Sequence, residues 1–199
     1  MKIGIIGAGG IGQAFAGQVT KAGYEVVVSN SRGPESLAEV VSQLGSRAKA
    51  GTRQEAAQAD IVVVAVRWQQ LRAALTGLPA WKGRILIDCT NPIVKPGFPL
   101  TELNGITSSE FVASLALGAR VVKVANTLPR ALLASDPSQA GGRRVLFMSG
   151  DDAAAKEDVS VILEKAGFAT IDLGGLASGG RLQQVPGGLL TALNLIKLD

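Results

Sequence analysis

The chain contains no histidine and a single cysteine, Cys89. Without histidine there can be no histidine-based catalytic triad and no histidine metal site. One cysteine cannot form an internal disulfide, which fits a reducing compartment. Cys89 sits in the apolar run RILIDC, so a buried small residue is the better reading than a nucleophile. Aromatic residues are only 4% of the chain, and the densest basic cluster is Gly142-Arg143-Arg144. A nucleic-acid binder needs clustered cations or a stacking set. The net charge of +4 therefore points to an anionic small ligand and no nucleic-acid partner. No apolar run reaches the roughly 18 residues of a membrane span. The opening MKIGIIG lacks signal-peptide architecture, and the expectation is a soluble, cytoplasmic protein. Charged residues are 18% and apolar ones 47%, which argues against disorder.

What is abundant is glycine, 25 residues, in short clusters between apolar runs. Strand patterns fall at 2–6, 25–29, 61–66, 84–88, 121–125, 145–149 and 169–173. Most are apolar without alternation, as in parallel strands buried on both faces. Helical patterns lie between them, at 10–22, 35–44, 53–58, 68–76, 108–117, 153–166 and 187–197. This alternation predicts an α/β fold with a doubly wound parallel sheet. The stretch NPIVKPGFPLTELNG, 91–105, reads as a long loop beyond a strand's C-terminal end, where such sheets bind ligands.

The first strand runs into Gly7-Ala8-Gly9-Gly10-Ile11-Gly12 and then a helix, the spacing G-x-G-x-x-G. Gly7 permits the tight turn, Gly9 lets backbone approach a pyrophosphate, and Gly12 lets helix and strand pack closely. The helix start presents free amides and the positive end of a dipole to phosphate. The second strand ends in Ser29-Asn30-Ser31-Arg32, where NAD sites carry an acid for the ribose hydroxyls. Hydroxyls and a guanidinium fork suit a 2′-phosphate instead. The expectation is NADP(H) over NAD(H), bound by Asn30, Ser31 and Arg32 beside a further helix start at Gly33-Pro34.

The segments KIGIIGAGGIG, VVVSNSRGPESL, AAQADIVVVAVRW, LIDCTNP, VVKVANTL, MSGDDAAAK and LGGLASGGRL occur in this order. Together they resemble the NADP-dependent oxidoreductases of the coenzyme F-420 reductase family. That group is similar to the cytosolic reductase domain of six-transmembrane ferric reductases and, more distantly, to the N-terminal domains of pyrroline-5-carboxylate reductases. The resemblance implies a Rossmann-like NADP-binding domain over 1–150. A small C-terminal βα extension, 151–199, would pack on it and end in a buried or interface helix. It also implies hydride transfer between NADP(H) and a small-molecule electron acceptor, a flavin or deazaflavin among the candidates. Ala65, Val66, Arg67 and Trp68 would then lie along the cofactor. Asn91-Pro92 and Asn126-Thr127 would lie near its nicotinamide end. The chain departs from the family at Arg67, where deazaflavin reductases often have proline, and at Asn126, where some have histidine.

Hydride transfer to a planar ring needs positioning and dryness more than a strong acid or base, so the lack of histidine is no obstacle. Small residues Ala65, Ala125 and Gly174-Gly175 are expected to leave room for a flat ring. Asn126 and Thr127 have two readings, hydrogen-bonding the nicotinamide carboxamide or capping a turn. Trp68 likewise shelters the cofactor or packs on the core, and Trp81 is expected at the surface or an interface. Asp151-Asp152 reads as a helix cap more than a metal pair. Lys123 is out of place in a buried strand and calls for an acid partner. The tail helix, apolar nearly all round, is expected to be buried, in a homodimer interface or as a lid on the cleft. Beside the enzyme stand two other readings, a non-catalytic NADP(H) sensor and an imine or ketone reductase that would need a proton donor.

Overall fold

The computed structural model describes residues 1–93 and 103–198. Most of the proline-rich loop expected at 91–105 lies outside them. The chain opens with β1 (Lys2–Ile6), α1 (Gly10–Lys21), β2 (Glu25–Ser29), a 3-10 turn (Pro34–Leu37), α2 (Ala38–Leu44) and β3 (Ala48–Ala50). It continues with α3 (Arg53–Ala56), β4 (Ile61–Val64), a 3-10 turn (Trp68–Gln70), α4 (Leu71–Leu75) and β5 (Ile85–Asp88). Then follow α5 (Ser108–Leu115), β6 (Arg120–Val124), α6 (Arg130–Ala134), β7 (Ser138–Gln139) and β8 (Gly142–Gly150). The last elements are α7 (Ala153–Lys165), β9 (Ala169–Asp172), α8 (Gly179–Gln183) and β10 (Ile196–Leu198).

Strands β3-β2-β1-β4-β5-β6 stand side by side and parallel. The Val/Ile runs that form them are buried on both faces. After β1 the chain builds outward through β2 and β3, then crosses to β4 and builds the other way. The crevice between β1 and β4, at their C-terminal ends, is thus the switch point where open α/β sheets take their ligands. Beyond β6 the sheet continues in reverse. The second half of β8 pairs antiparallel with β6 and parallel with β9, while its first half pairs with β7 and β10.

Helices cover both faces. Phe15 and Val19 of α1, Leu133 of α6, and Val159 and Ile162 of α7 pack on one side. Ala56 of α3, Leu71 and Leu75 of α4, and Val112 of α5 pack on the other. Helix starts follow local chemistry: Thr52/Glu55 and Thr107/Glu110 form reciprocal capping boxes at α3 and α5. Asp152 caps α7 by accepting from the Ala155 amide at 2.7 Å. That bond holds its carboxyl below the usual carboxylate range.

Three expectations are corrected. The helix expected at 187–197 is absent; the segment is a series of turns ending in β10. Pro186-Gly187-Gly188 disfavours helix, and the segment bonds outward instead. The Ala192 amide donates to the Thr127 carbonyl, and the Val145 amide to the Leu195 carbonyl. Nor is the segment buried throughout, since Leu189 is 81% exposed. Trp81 is a core residue, 5% exposed, under the Arg84 guanidinium. Gly174 and Gly175 follow β9, on the far side of β8 from the crevice: the Gly174 carbonyl takes the Gly150 amide, and Gly175 stands beside Asp151. The pairing of β9 with the outer edge of β8 carries them there. Sequence patterns also missed the short β3, α6, β7, α8 and β10.

Candidate functional site

The loop after β1 is built by close contacts that tolerate only glycine at two positions. Gly7 has φ +111°, and a Cβ there would stand 2.8 Å from Cγ1 of Val66. A Cβ on Gly12 would collide with the carbonyl oxygen of Gly7. The loop is closed by the Gly7 amide donating to the Ser29 carbonyl at 3.0 Å. Gln13 Nε2 donates to the Ala8 carbonyl at 2.8 Å. Gly9 differs: its conformation is ordinary, and a Cβ there would meet nothing within 4 Å. The open space over Gly9 is where a ligand's backbone-hugging group fits. Gly9 is also the N-cap of α1, with no side-chain cap, and the first turn holds no acid. Its amides are therefore left for an external anion. Gly10 and Ile11 form the first turn with Gly12.

At the end of β2, Asn30 shapes the chain. Its Oδ1 accepts from the Arg32 amide at 2.9 Å and its Nδ2 donates to the Ser36 hydroxyl at 2.8 Å. The side chains of Ser31 and Arg32 project from this turn, exposed and with no partner among the described residues. Asn30 thus positions the other two and has less of itself left to offer. One carboxylate, Glu35, faces this turn; a Cβ on Gly33 would stand 2.8 Å from its Oε2. Among the described residues Arg32, Arg67 and Arg130 are all exposed with no ion pair or side-chain hydrogen bond. Arg32 and Arg67 follow β2 and β4, and Arg130 opens α6 after β6.

The other end is closed. The ends of β4, β5 and β6 bring together Ala65–Trp68, Asn91-Pro92 and Asn126-Thr127. Asn91 Nδ2 donates to the Asn126 carbonyl at 2.7 Å, and Asn126 Nδ2 donates to Asn91 Oδ1 at 2.9 Å and to the Gln183 carbonyl at 2.8 Å. Gln183 Nε2 reaches Asn126 Oδ1 at 3.3 Å and the Phe147 carbonyl at 2.8 Å; its Oε1 accepts from Ser149 at 2.7 Å. Both Nδ2 protons of Asn126 are therefore used inside the protein, while its Oδ1 accepts one long bond. The side chain ties the C-terminal segment to the sheet. Ala125 before it has φ +59°, an uncommon conformation for a residue with a Cβ, and this turns Asn126 back over β5. Thr127 is 5% exposed; its carbonyl is taken by Ala192, and its hydroxyl has no partner among the described residues. Trp68 packs on Phe111, ring centroids 5.4 Å apart, which favours its core reading.

Beneath this lies a buried ion pair. Lys123 Nζ, 0% exposed, donates to Asp88 Oδ2 at 3.2 Å and to the Thr90 carbonyl at 3.0 Å. Asp88 also accepts from the Thr90 amide at 2.8 Å, the Thr90 hydroxyl at 2.7 Å and Ser109 at 2.7 Å. The pair braces the turn leading to Asn91. Burial, with the Asp88 carboxylate beside it, pushes the Cys89 thiol up, so it stays protonated and unreactive. The basic cluster at 142–144 also has a structural member: Arg144 is fully buried, donating to Asn194, Leu132, Ser135, Asp136 and Gln139. A concavity of about 450 Å³ lined by Lys2, Glu25 and Lys49 lies at the N-terminal ends of β1 and β2 and belongs to neither end of this crevice.

Comparison with known proteins identifies the family. Residues 2–92 match the family described as NADP oxidoreductase, coenzyme F420-dependent. A candidate F420-dependent NADP-reductase from Arthrobacter sp. FB24 superposes with TM-score 0.77 and 31% identity, covering 88% of this chain and 86% of that one. A hypothetical protein from Sinorhizobium meliloti superposes with TM-score 0.92 and 43% identity, covering 99% and 96%. The metalloreductase STEAP3 of Rattus norvegicus is 30% identical over 186 residues, 93% of this chain but 36% of the relative. The chain thus spans about a third of the curated relatives it matches. No helix among the described residues is long and apolar enough to cross a membrane.

Proposed function

This chain is a member of the coenzyme F420-dependent NADP oxidoreductase family, and from that premise we propose that it passes hydride between NADP(H) and a flavin-like or other planar acceptor. The reaction moves a proton with an electron pair from the reduced nicotinamide to the acceptor ring, any further proton coming from water. The observation that carries the reading is the pair Ser31 and Arg32, held outward by Asn30 and left without partners. They suit a phosphate dianion, with Arg32 as a bidentate fork. The uncapped start of α1 and the open face of Gly9 suit a pyrophosphate.

At the nicotinamide end Asn91 and Asn126 act as positioning residues, and the Thr127 hydroxyl, without a partner among the described residues, is a group available to the cofactor or acceptor. Lys123 and Asp88 are sealed from solvent and occupied with each other. Among the described residues, this end therefore offers no free titratable group to protonate an imine or alkoxide apart from Arg67, whose guanidinium keeps its proton. That favours an acceptor needing orientation alone over an imine or ketone substrate.

Mixing the protein with NADPH and, in turn, FMN, FAD, a deazaflavin, a quinone and a ferric chelate, while following the nicotinamide absorbance band, tests this. Turnover with at least one planar acceptor is expected. Tight NADPH binding with no turnover for any of them would replace the enzyme with a non-catalytic NADP(H) sensor.

A further inference from the structure

We propose that Arg130 is a second cofactor-binding arginine, one that grips the pyrophosphate and so serves NADPH and NADH alike; this rests on the dinucleotide reading above. Gly10 is the first residue of α1, and a Cβ there would collide with Cδ of Arg130, with Nε 3.5 Å away. The arginine stem thus lies across the start of the helix whose free amides face the ligand. Its guanidinium is exposed and has no carboxylate or other partner among the described residues.

A cation at a helix N-terminus is repelled by the helix dipole. Here no acid in the first turn and no side-chain cap offsets that repulsion. An anion between the amides and the guanidinium removes the conflict, because each then binds the same charge.

The placement is enforced from behind. Gln18 of α1 donates from Nε2 to the carbonyls of Leu133 and Ser135, at 2.8 and 2.7 Å. The buried Arg144 donates to the Leu132 and Asp136 carbonyls and to the Ser135 hydroxyl. These bonds fix the C-terminal end of α6 against α1 and β8, which sets its first residue, Arg130, over Gly10. A glycine at position 10 leaves the stem its room.

Calorimetric titration of the wild type, Arg130→Ala, Arg130→Lys, Gly10→Ala and the Gly10→Ala/Arg130→Ala double variant with NADPH and with NADH decides the matter. Arg130→Ala is expected to weaken both nucleotides by the same factor, on the order of tenfold. Arg130→Lys, which keeps the charge and most of the stem, should retain most of the affinity and shows that the site is intact if the alanine variant folds poorly. Gly10→Ala evicts the stem and should weaken both nucleotides similarly. The double variant should be no worse than either single one, the signature of a shared interaction. Unchanged binding in Arg130→Ala, loss confined to NADPH, or losses that multiply in the double variant would each overturn the assignment. If the wild type binds neither nucleotide, the dinucleotide reading itself falls, and this proposal with it.

Discussion

At the end of β2, Ser31 and Arg32 stand exposed and unpartnered, whereas at the ends of β5 and β6 the side chains of Asn91, Asn126 and Gln183 are spent on one another. Polar side chains thus do different work at the two places. A side chain whose hydrogen-bonding capacity is unused is available to a ligand. One whose donors and acceptors are all matched inside the protein instead holds backbone in place. The β2 end presents an unpaired guanidinium and hydroxyl beside the glycine loop; the Asn91–Asn126 end is a hydrogen-bonded wall.

That contrast can be broken at several points. The largest effect is expected in the wall. Lys123→Met leaves the buried Asp88 carboxylate unpaired and should cost about 3–5 kcal/mol of stability in denaturant unfolding. Adding Asp88→Leu should recover much of the loss, and a neutral single variant would mean the pair does not brace the fold. Next is Gly9→Ala. Its Cβ meets no protein atom, so the melting temperature should hold while both nucleotides bind on the order of tenfold more weakly, the new methyl occupying the ligand's approach. A stable variant with unimpaired binding would remove Gly9 from the site. The smallest is Glu35→Gln, which takes away a carboxylate facing the Ser31–Arg32 turn. NADPH should bind roughly twofold tighter, with NADH unchanged, as expected of a single screened surface charge.

Much of the frame was legible because the parallel strands are buried on both faces. Unbroken Val/Ile runs such as IVVV at 61–64 have no other comfortable setting, and β1 and β2 fall at their expected bounds. The glycine loop was legible because each glycine answers a local steric demand. What failed was what depends on distant partners. The tail reads as a helix by composition, yet its amides and carbonyls bond β8 and the end of β6. Gly174 and Gly175 were misplaced because no local pattern shows that β9 pairs on the far side of β8. Asn126 reads equally as ligand contact or strut, and the strut depends on Gln183, 57 residues on. Arg130 carries no local sign of its role at all; the clue is a glycine 120 residues earlier.

The central claim is that the unpartnered pair after β2 selects the phosphorylated cofactor. Titrating wild type and Arg32→Ala with NADPH and NADH side by side in a calorimeter tests it most directly. The wild type should hold NADPH at least tenfold tighter than NADH, and Arg32→Ala should erase most of that gap through NADPH alone, as loss of a charge-assisted bond to the extra phosphate requires. Equal affinity for the two nucleotides in the wild type, or an equal loss of both in the variant, would contradict it.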